Sequence, residues 1–381
     1  GDAYRASGSD RDFMAAVLLL AVAYVPIAAR PGIGLFGLRN YLAPLALFYL
    51  ARLLPYSRRE LAGLLAVLAL IAAGVAAFGI YQARFIDFPT MVAMGYVDET
   101  GNLPFAFKTA LRDGVPIPRA ISTATGPNQL AIYLNVFIVL SVYGILRWRQ
   151  WGSRLLLAGL ALILGLCLLF TYSRGGLLAL IVSLLATTAI IVSERGLRRS
   201  WRELRQNRLL MAGLLCVIVL ATIGVAASGF ATRVVRGLTG RDPAADAHAV
   251  SMQYSLGFIA QHPLGIGMGM VGERALRFLG EADIQHTEST YLQFAMETGL
   301  LGLILLFALL TALLAALWRI RASLPARGDP GGWGQTLVEV AFVLWLGAMA
   351  VFIVTPLLQN LLAAGYLWAI AGMAFHLDAY E

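Results

Sequence analysis

Charged side chains are scarce in this sequence, and their scarcity argues against a water-soluble globular protein. Aspartate, glutamate, lysine and arginine make up 13% of the 381 positions, whereas hydrophobic residues make up 59%. A soluble domain of this length needs far more polar side chains to cover its surface. The mean hydropathy of +0.76 points the same way. The sequence therefore predicts a membrane protein.

Cysteine and histidine are also rare, with two and four residues respectively. Cys167 and Cys216 each lie within a long apolar stretch, where a thiol usually behaves as a small hydrophobic side chain rather than as half of a disulfide. The spacing of the four histidines is not that of metal ligands. We therefore expect a protein that works without a metal ion.

Charge-free stretches, by contrast, are long and numerous. A helix needs about 20 mostly apolar residues to cross the hydrocarbon core of a bilayer. Charge-free stretches that approach this length cover residues 13–29, 61–81, 129–146, 155–172, 175–193, 209–228, 299–318, 340–355 and 357–375, and a further one, 34–50, is interrupted only by Arg39. The sequence thus predicts an all-α polytopic membrane protein with ten or more transmembrane helices, forming one domain over residues 1–381. Because the chain does not open on methionine, we treat its start as a cut end that further spans could precede.

Arginine supplies nearly all of the positive charge, and its distribution predicts the orientation of the spans. Arginines cluster in four short connections, at residues 52–59, 147–154, 195–208 and 319–327. The positive-inside rule places these connections in the cytoplasm, and most tryptophans lie in or beside them, as expected at a membrane interface. Both termini then lie in the cytoplasm, and two loops, at about 82–127 and 229–297, lie outside it. Although the net charge is +8, this pattern indicates a membrane and not a nucleic-acid partner.

Arg174 departs from this pattern. It lies between two apolar spans, in a predicted turn from Thr171 to Gly176 that this topology places on the extracytoplasmic side. The positive-inside rule disfavours an arginine there, and two following glycines remove side-chain bulk from beside the guanidinium. The planar guanidinium suits a phosphate group, to which it donates two parallel hydrogen bonds. We interpret Arg174 as an anion-binding residue, the alternative being an arginine that extends to lipid headgroups.

Further candidate residues occur in the two outer loops. Arg119 lies close to a predicted span on the same side of the membrane as Arg174, and Asn128 follows a Gly-Pro turn where it can cap the next helix. Arg233 and Arg236 lie three residues apart on one predicted helical face. The alternatives are that Asn128 only starts a helix, and that the last two arginines only anchor a helix end.

The second loop carries residues capable of proton transfer. An amphipathic helical pattern runs from Asp246 to His262 and is followed by a glycine-rich tract. A nucleotide-binding loop is disfavoured, because no strand precedes that tract. His286 and Glu288 lie just before the next span, and either could act as a general base. Since they are two residues apart, they would point to different sides of a helix and need not act as a pair.

Four motifs follow one another between residues 171 and 302: Thr171-Tyr-Ser-Arg-Gly-Gly-Leu-Leu-Ala179, His262-Pro-Leu-Gly-Ile-Gly-Met-Gly269, Ser289-Thr-Tyr-Leu-Gln293 and Glu297-Thr-Gly-Leu-Leu-Gly302. Together they resemble the bacterial O-antigen ligase and O-antigen polymerase superfamily. The stretch from Arg119 to Asn128 is also similar to that family's Arg-then-Pro-Asn pattern, so the resemblance covers roughly residues 119–302.

The resemblance implies a GT-C-like membrane glycosyltransferase with a large, helix-containing extracytoplasmic loop. It implies a glycan donor carried on undecaprenyl diphosphate and transfer on the outer face of the bacterial cytoplasmic membrane, without nucleotide sugar, metal or cofactor. Arg174 matches the family's arginine thought to hold the diphosphate, and Arg233 or Arg236 would match a second one. His248 falls where many relatives have an arginine, so it is either a glycan contact or a surface histidine. Asn128 and Tyr291 are further candidate glycan contacts.

One departure from the family pattern bears on the reaction. Ligases of the family usually carry His-Asn before the Tyr-Leu pair, whereas this chain has Glu288 and Ser289. Polymerase relatives often have an acidic residue there, so the resemblance favours a polymerase of polysaccharide repeat units over a ligase that transfers a glycan to lipid A core or a protein. The implied partners are a lipid-linked oligosaccharide, a glycan or lipid acceptor, membrane lipids and a chain-length regulator.

A transporter of lipid-linked oligosaccharides is a third interpretation, from another class of protein. Transporters tend to have ionisable groups deep within spans and paired broken helices. Arg39 and Glu339 are the few candidates for such groups here, whereas most polar residues fall in the predicted outer loops. The sequence therefore favours a glycosyltransferase over a transporter.

Overall fold

The structure is a computed structural model, and the fold is almost entirely helical wherever it is described. The described residues are 19–28, 31–98, 101–110, 116–148, 150–195, 243–272, 287–324 and 332–380. The predicted span at 209–228 lies outside them. The predicted span at 13–29 is described from Leu19, and there the helix ends at Ala23 and gives way to turns.

Ten α-helices with defined bounds follow one another along the described chain, with a short antiparallel strand pair between the third and the fourth. They are α1 (Pro31–Leu53), α2 (Arg58–Phe85), α3 (Phe88–Ala93), α4 (Pro127–Arg147), α5 (Trp151–Phe170), α6 (Arg174–Arg195), α7 (Pro243–Gln261), α8 (Thr290–Ser323), α9 (Trp333–Val351) and α10 (Leu361–Tyr380). The strands are β1 (Lys108–Ala110), which follows a 3₁₀ turn at Phe105–Phe107, and β2 (Pro116–Pro118); Thr109 pairs with Ile117.

Seven of the described helices are long and apolar enough to cross a membrane, namely α1, α2, α4, α5, α6, α8 and α9. The apolar part of α10, Leu361–His376, is shorter. The prediction of a helical, polytopic membrane protein is therefore confirmed. The small strand pair is an exception to the predicted all-α structure. A total of ten or more spans stays a prediction, as does the membrane orientation.

The described residues form two compact units. One contains the described parts of residues 1–54 and 240–381, and the other those of residues 55–239. We refer to them as the α8 unit and the α4 unit, after one helix in each. The organisation as a single domain over residues 1–381 stays a prediction.

In the α4 unit, α4 is buried along nearly its whole length and packs against α5 and α6. Helix α2 packs on α5 through small residues, and a Cβ added at Gly79 would lie 2.8 Å from the Sγ of Cys167. Cys167 is fully buried, as expected for a cysteine used as a small hydrophobic residue. Cys216 lies outside the described residues.

In the α8 unit, α1 and α10 pack closely along much of their length. A Cβ at Gly372 would lie 2.2 Å from the carbonyl oxygen of Phe48, so only glycine permits this approach. The Phe48 ring makes edge contacts with Trp368 and Phe375. Arg321 and buried Glu339 form a salt bridge of 3.0 Å, so the ionisable group at Glu339 is compensated within the protein.

Helix α8 is broken at Gly299, whose φ of 75° is unfavourable for any residue with a side chain. The break leaves backbone carbonyls of α8 without their helical donors, and the glycine-rich tract supplies replacements. Ile266 and Gly267 donate to the carbonyls of Met296 and Glu297, both at 3.0 Å. In return, the N–H of Leu300 donates to the carbonyl of Pro263 at 2.9 Å. Two of the sequence motifs thus form one hydrogen-bonded structure.

Candidate functional site

Arg174 is the first residue of α6, which follows a tight turn after α5. The hydroxyl of Ser173 caps the helix by accepting a hydrogen bond of 3.0 Å from the N–H of Gly176. The turn therefore comprises Thr171 to Ser173, and the prediction that it extends to Gly176 was wrong. Because Ser173 caps the helix, Arg174 is held at the positive end of the α6 dipole.

Gly176 has a different role from the one that the sequence suggested. We expected the glycine pair to open space for a ligand beside Arg174. In the structure, a Cβ at Gly176 would lie 2.4 Å from the Cβ of Ala131, so this glycine lets α6 approach α4. Asn135 of α4 donates to the Gly176 carbonyl at 2.8 Å and reinforces that contact.

Arg119 lies beside the same turn, and several of its donors are used within the protein. Its Nε donates to the Thr171 carbonyl at 2.7 Å, one terminal nitrogen donates to the Ala106 carbonyl at 2.9 Å, and the other donates to Asn128 Oδ1 at 3.3 Å. A guanidinium has five N–H groups, so these bonds use much of its capacity to donate hydrogen bonds. The contacts indicate that Arg119 positions the turn; direct binding of a diphosphate by Arg119 stays a prediction.

Asn128 does not cap α4, and that prediction was wrong. Pro127 is the first residue of α4 and Gly126 is the cap, without a side-chain hydrogen bond, so Asn128 falls inside the first helical turn. Its Oδ1 accepts from Arg119 and, at 2.8 Å, from the hydroxyl of Ser173. Asn128 therefore links Arg119 to the cap of the Arg174 helix. Its predicted contact with a glycan stays a prediction.

Gln82 fixes the chain that carries Arg119, and the sequence analysis missed it. It is fully buried near the end of α2, and its Oε1 accepts from the backbone N–H groups of Ile121 and Ser122 at 2.9 and 2.8 Å. Tyr96 adds a hydrogen bond of 2.7 Å to the Ser122 carbonyl. Burial raises the pKa of the Tyr96 phenol, so its hydroxyl remains a donor at neutral pH. A lone glutamine at the end of an apolar span was the signal that could have revealed this anchor.

The end of the α4 unit around Arg174 is electrostatically suited to an anion. The first turn of α6 contains no acidic residue, and the N-terminus of a helix favours negative charge. Arg174 itself is partly exposed. A permanent cation and a helix N-terminus therefore act together at this point.

The α8 unit contains the second candidate group, a contact between His248 and Glu288. The Nδ1 of His248, near the start of α7, lies against a carboxylate oxygen of Glu288, and the two side chains are 43% and 51% exposed. Glu288 lies just before α8; that it and His286 need not act as a pair stays a prediction, because His286 lies outside the described residues. The pair leaves much of the Glu288 carboxylate accessible.

The residues that follow Glu288 hold it in place. Ser289 caps α8 and donates to the Phe352 carbonyl at 3.0 Å. Thr290 donates through its hydroxyl to the Thr355 carbonyl at 2.7 Å and accepts from the N–H of Leu357 at 2.9 Å. The Ser-Thr pair of the sequence motif thus pins the start of α8 to the turn after α9.

Tyr291 lies inside the α8 unit. It is 8% exposed, its hydroxyl donates to the Met349 carbonyl at 3.0 Å, and its ring stacks on Phe307. Packing within the protein therefore accounts for the position of Tyr291. A contact between Tyr291 and a glycan stays a prediction.

Glu297 is a buried carboxylate that the sequence analysis assigned to the end of the outer loop. Helix α8 begins seven residues earlier, at Thr290, and Glu297 is completely buried within it; the membrane boundary of the loop stays a prediction. Its carboxylate accepts from the hydroxyl of Tyr41 at 3.0 Å, from the side chain of Gln359 at 3.5 Å and from the backbone amides of Gly269 and Val271. A glutamate next to a Thr-Gly break was the available signal.

Three predicted site residues, Arg233, Arg236 and His286, lie outside the described residues. The others fall into two groups: Arg119, Asn128 and Arg174 in the α4 unit, and His248, Glu288 and Tyr291 in the α8 unit. Among the described residues, the structure shows no cluster of three or more His, Cys, Asp or Glu side chains that could hold a metal ion. Catalysis without a metal stays a prediction.

Comparison with known proteins bears on this arrangement. Residues 159–307 match the family model described as O-antigen ligase. The matched segment contains Arg174, His248, Glu288 and Glu297, whereas Arg119 and Asn128 precede it. No curated protein matches the chain. The resemblance to the O-antigen ligase and polymerase superfamily is thus confirmed over residues 159–307.

Proposed function

We propose that this chain is an inverting glycosyltransferase of the bacterial cytoplasmic membrane that polymerises repeat units of a surface polysaccharide. The donor is a glycan on undecaprenyl diphosphate, and the reaction takes place on the extracytoplasmic side. The match to the O-antigen ligase family over residues 159–307 supports this type of enzyme. The main structural observation in its support is the position of Arg174 at the capped N-terminus of α6.

Transfer from a lipid diphosphate requires that the departing diphosphate be stabilised. The oxygen of an acceptor hydroxyl attacks the anomeric carbon, the bond from that carbon to the diphosphate oxygen breaks, and negative charge develops on the leaving group. The Arg174 guanidinium and the N–H groups of the first turn of α6 both favour that charge. Arg119 and Asn128 hold the turn that presents Arg174. Arg233 or Arg236 would supply a second cation.

The acceptor hydroxyl must lose its proton as the new bond forms. Glu288 is half-exposed and has an imidazole beside one carboxylate oxygen, so its other oxygen can accept the proton. His248 orients the carboxylate and holds it in place. This arrangement puts a carboxylate where ligases of the family have a histidine, and it supports the polymerase over the ligase.

A transporter remains the competing function, because α8 is broken at Gly299 and carries a buried glutamate. In this chain the glycine-rich tract fills the break, and protein groups surround the carboxylate. Broken helices that bind a transported substrate instead leave backbone groups facing a cavity. Because protein groups fill the break in α8, a glycosyltransferase is favoured over a transporter.

The proposal is tested with purified full-length protein and an undecaprenyl-diphosphate oligosaccharide. A polymerase yields a ladder of products, a ligase shifts only an added core acceptor, and a transporter forms no new glycosidic bond. Arg174→Ala should lower transfer by at least about 100-fold, the loss typical of a removed oxyanion donor. The control is Arg154→Ala, which removes an arginine near the start of α5 that donates to the Trp148 carbonyl. Unchanged transfer by Arg174→Ala would overturn the proposed binding of the diphosphate by Arg174.

A further inference from the structure

The predicted first outer loop begins with a charge-free tract that the proposed chemistry does not use. From Phe88 to Val97 the chain has no charged residue, and Asp87 and Asp98 stand at its two ends. The tract includes the short helix α3. An apolar segment outside a membrane-spanning helix is a candidate interaction surface when its side chains are exposed.

The packing of this tract holds it beside the last turn of α2. Met91 is fully buried and belongs to an apolar cluster with Leu103 and Ile121. The N–H of Ile121 in turn donates to Gln82, in the last turn of α2, at 2.9 Å. The tract therefore lies against the end of α2 and does not project away from it.

The end of α2 falls at the depth of a membrane interface. The charge-free part of this helix runs from Leu61 to Tyr81, and its length is about 31 Å at the helical rise, close to the ~30 Å of the hydrocarbon core. The four residues after it, which include Arg84, then lie at the level of the lipid headgroups. Tyr81 and Phe85 stack there with ring centroids 5.5 Å apart, and tyrosine is typical of that depth.

The part of the tract that does not pack on the cluster is exposed and apolar. Val92, Met94 and Val97 are 38%, 48% and 40% exposed. The face of α2 that contains Leu70 and Phe85 is also apolar and exposed, and in a membrane-spanning helix such a face contacts lipid. The chain passes directly from that lipid-facing surface into the exposed side of the tract.

We propose that residues 85–97 lie in the headgroup region of the bilayer and that Val92, Met94 and Val97 contact lipid. A segment of this kind buries its apolar side chains at the boundary between headgroups and acyl chains and keeps its charged ends in water. Asp87 and Asp98 are both exposed, as this position requires. A soluble protein partner is disfavoured, because the surface continues from the side of α2 that contacts lipid.

Two cations beside the tract suit the same position. Arg84 is exposed, and its guanidinium carbon lies 5.7 Å from the ring centroid of Phe170. The ammonium of Lys108, in β1, lies 5.6 Å from the ring centroid of Phe88. Lysine and arginine next to an interfacial segment strengthen its binding by attraction to lipid phosphates.

The position of the tract also sets the depth of the turn before α6. The chain that packs on the tract includes Arg119, which donates to the Thr171 carbonyl, and Ala120, whose N–H donates to the Phe170 carbonyl at 2.8 Å. A tract held at the membrane surface therefore keeps Arg174 near the level of the lipid phosphates. This inference does not depend on the reaction that the chain catalyses.

The test measures the accessibility of a spin label on the full-length protein in nanodiscs of phosphatidylethanolamine and phosphatidylglycerol. Cys167 and Cys216 are replaced by alanine, and the label is attached to Met94→Cys. Oxygen concentrates in lipid, whereas a nickel chelate stays in water. We expect the label at position 94 to collide more often with oxygen than with the chelate. The matched control is Asn102→Cys, because Asn102 is exposed in the same loop but outside the tract, and the order of the two collision rates should be reversed there.

Two results would overturn the membrane contact. Chelate collisions at position 94 as frequent as those at position 102 would place the tract in water. Rare collisions with both reagents would show that protein, and not lipid, covers it. Val92→Cys repeats the measurement at a second position if the label at position 94 lowers the unfolding midpoint. Since no lipid-linked donor is present, the result is separate from the test of Arg174.

Discussion

Glu288 and Glu297 lie on either side of the start of α8, and these two carboxylates differ in their exposure and in their hydrogen-bond partners. Glu288 is half-exposed, and its described side-chain contact is with His248. Glu297 is completely buried, and two side chains and two backbone amides donate to it. The same chemical group is thus accessible for proton transfer at one position and occupied by the fold at the other.

The difference follows from what each carboxylate must satisfy. A buried acceptor needs partners for its lone pairs, and once they are supplied it acts as an anchor. The donors to Glu297 come from α1, from the glycine-rich tract and from the turn before α10, so this carboxylate ties three segments to α8. Among the described residues, Glu288 ties α7 to the start of α8 through its contact with His248.

The largest effect is expected for Glu288→Gln, which removes the base and keeps the shape. Loss of a general base typically lowers turnover by about 10²- to 10⁴-fold. The free energy of unfolding should change by less than about 0.5 kcal/mol, as is usual for exposed positions. The measurements are turnover with the lipid-linked donor and the thermal unfolding midpoint in detergent.

His286→Ala is the comparison for that variant, since His286 is the other candidate base. If His286→Ala loses transfer and Glu288→Gln retains it, the roles are reversed. If both retain full transfer, neither residue is the base.

Glu297→Gln should have the next largest effect, and on stability instead of transfer. A carboxamide offers one oxygen, and its NH₂ group would face donors, which leaves at least one buried donor without an acceptor. That costs roughly 1–3 kcal/mol, so the unfolding midpoint should fall while turnover per folded molecule stays near that of the wild type. Glu194→Gln is the control, because Glu194 forms an ion pair with Arg147 and is 19% exposed. If Glu297→Gln kept full stability but lost turnover, Glu297 would have a role in the reaction and not in stability.

The membrane helices were the most predictable part of this fold. Apolar stretches predicted at 155–172 and 175–193 correspond to α5 at 151–170 and α6 at 174–195 within four residues. Length and hydropathy suffice for such helices, because a bilayer permits few alternatives to a helix of about 20 residues.

The contacts between segments could not be predicted in the same way. The break at Gly299 lies within an apolar pattern, and its hydrogen-bond partners come from residues about 30 positions earlier in the chain. Asn128 has the residue type and position of a cap, yet Arg119 and Ser173 take its oxygen. Spacing along the chain predicted which residues are polar, whereas their partners depend on tertiary packing.

The smallest effects are expected when a partner of each carboxylate is removed. His248→Gln should lower transfer about tenfold, the equivalent of one hydrogen bond to a charged group, with little change in stability. It should also alter the pH profile of turnover, which a purely structural histidine would leave unchanged. Equal turnover and an unchanged pH profile in His248→Gln would show that Glu288 needs no orienting partner.

Tyr41→Phe is the corresponding change at Glu297, and it removes one of several donors to that carboxylate. The Tyr41 ring makes an edge contact with Phe294 and should keep its place, while the 3.0 Å hydrogen bond to Glu297 is lost. We expect a loss of about 1 kcal/mol in the free energy of unfolding, measured as a lower midpoint in detergent, with transfer unchanged. Tyr49→Phe, on the same helix and 39% exposed, controls for loss of a phenol. If Tyr41→Phe lowered transfer as much as His248→Gln does, the two carboxylates would not divide into a reactive one and an anchoring one.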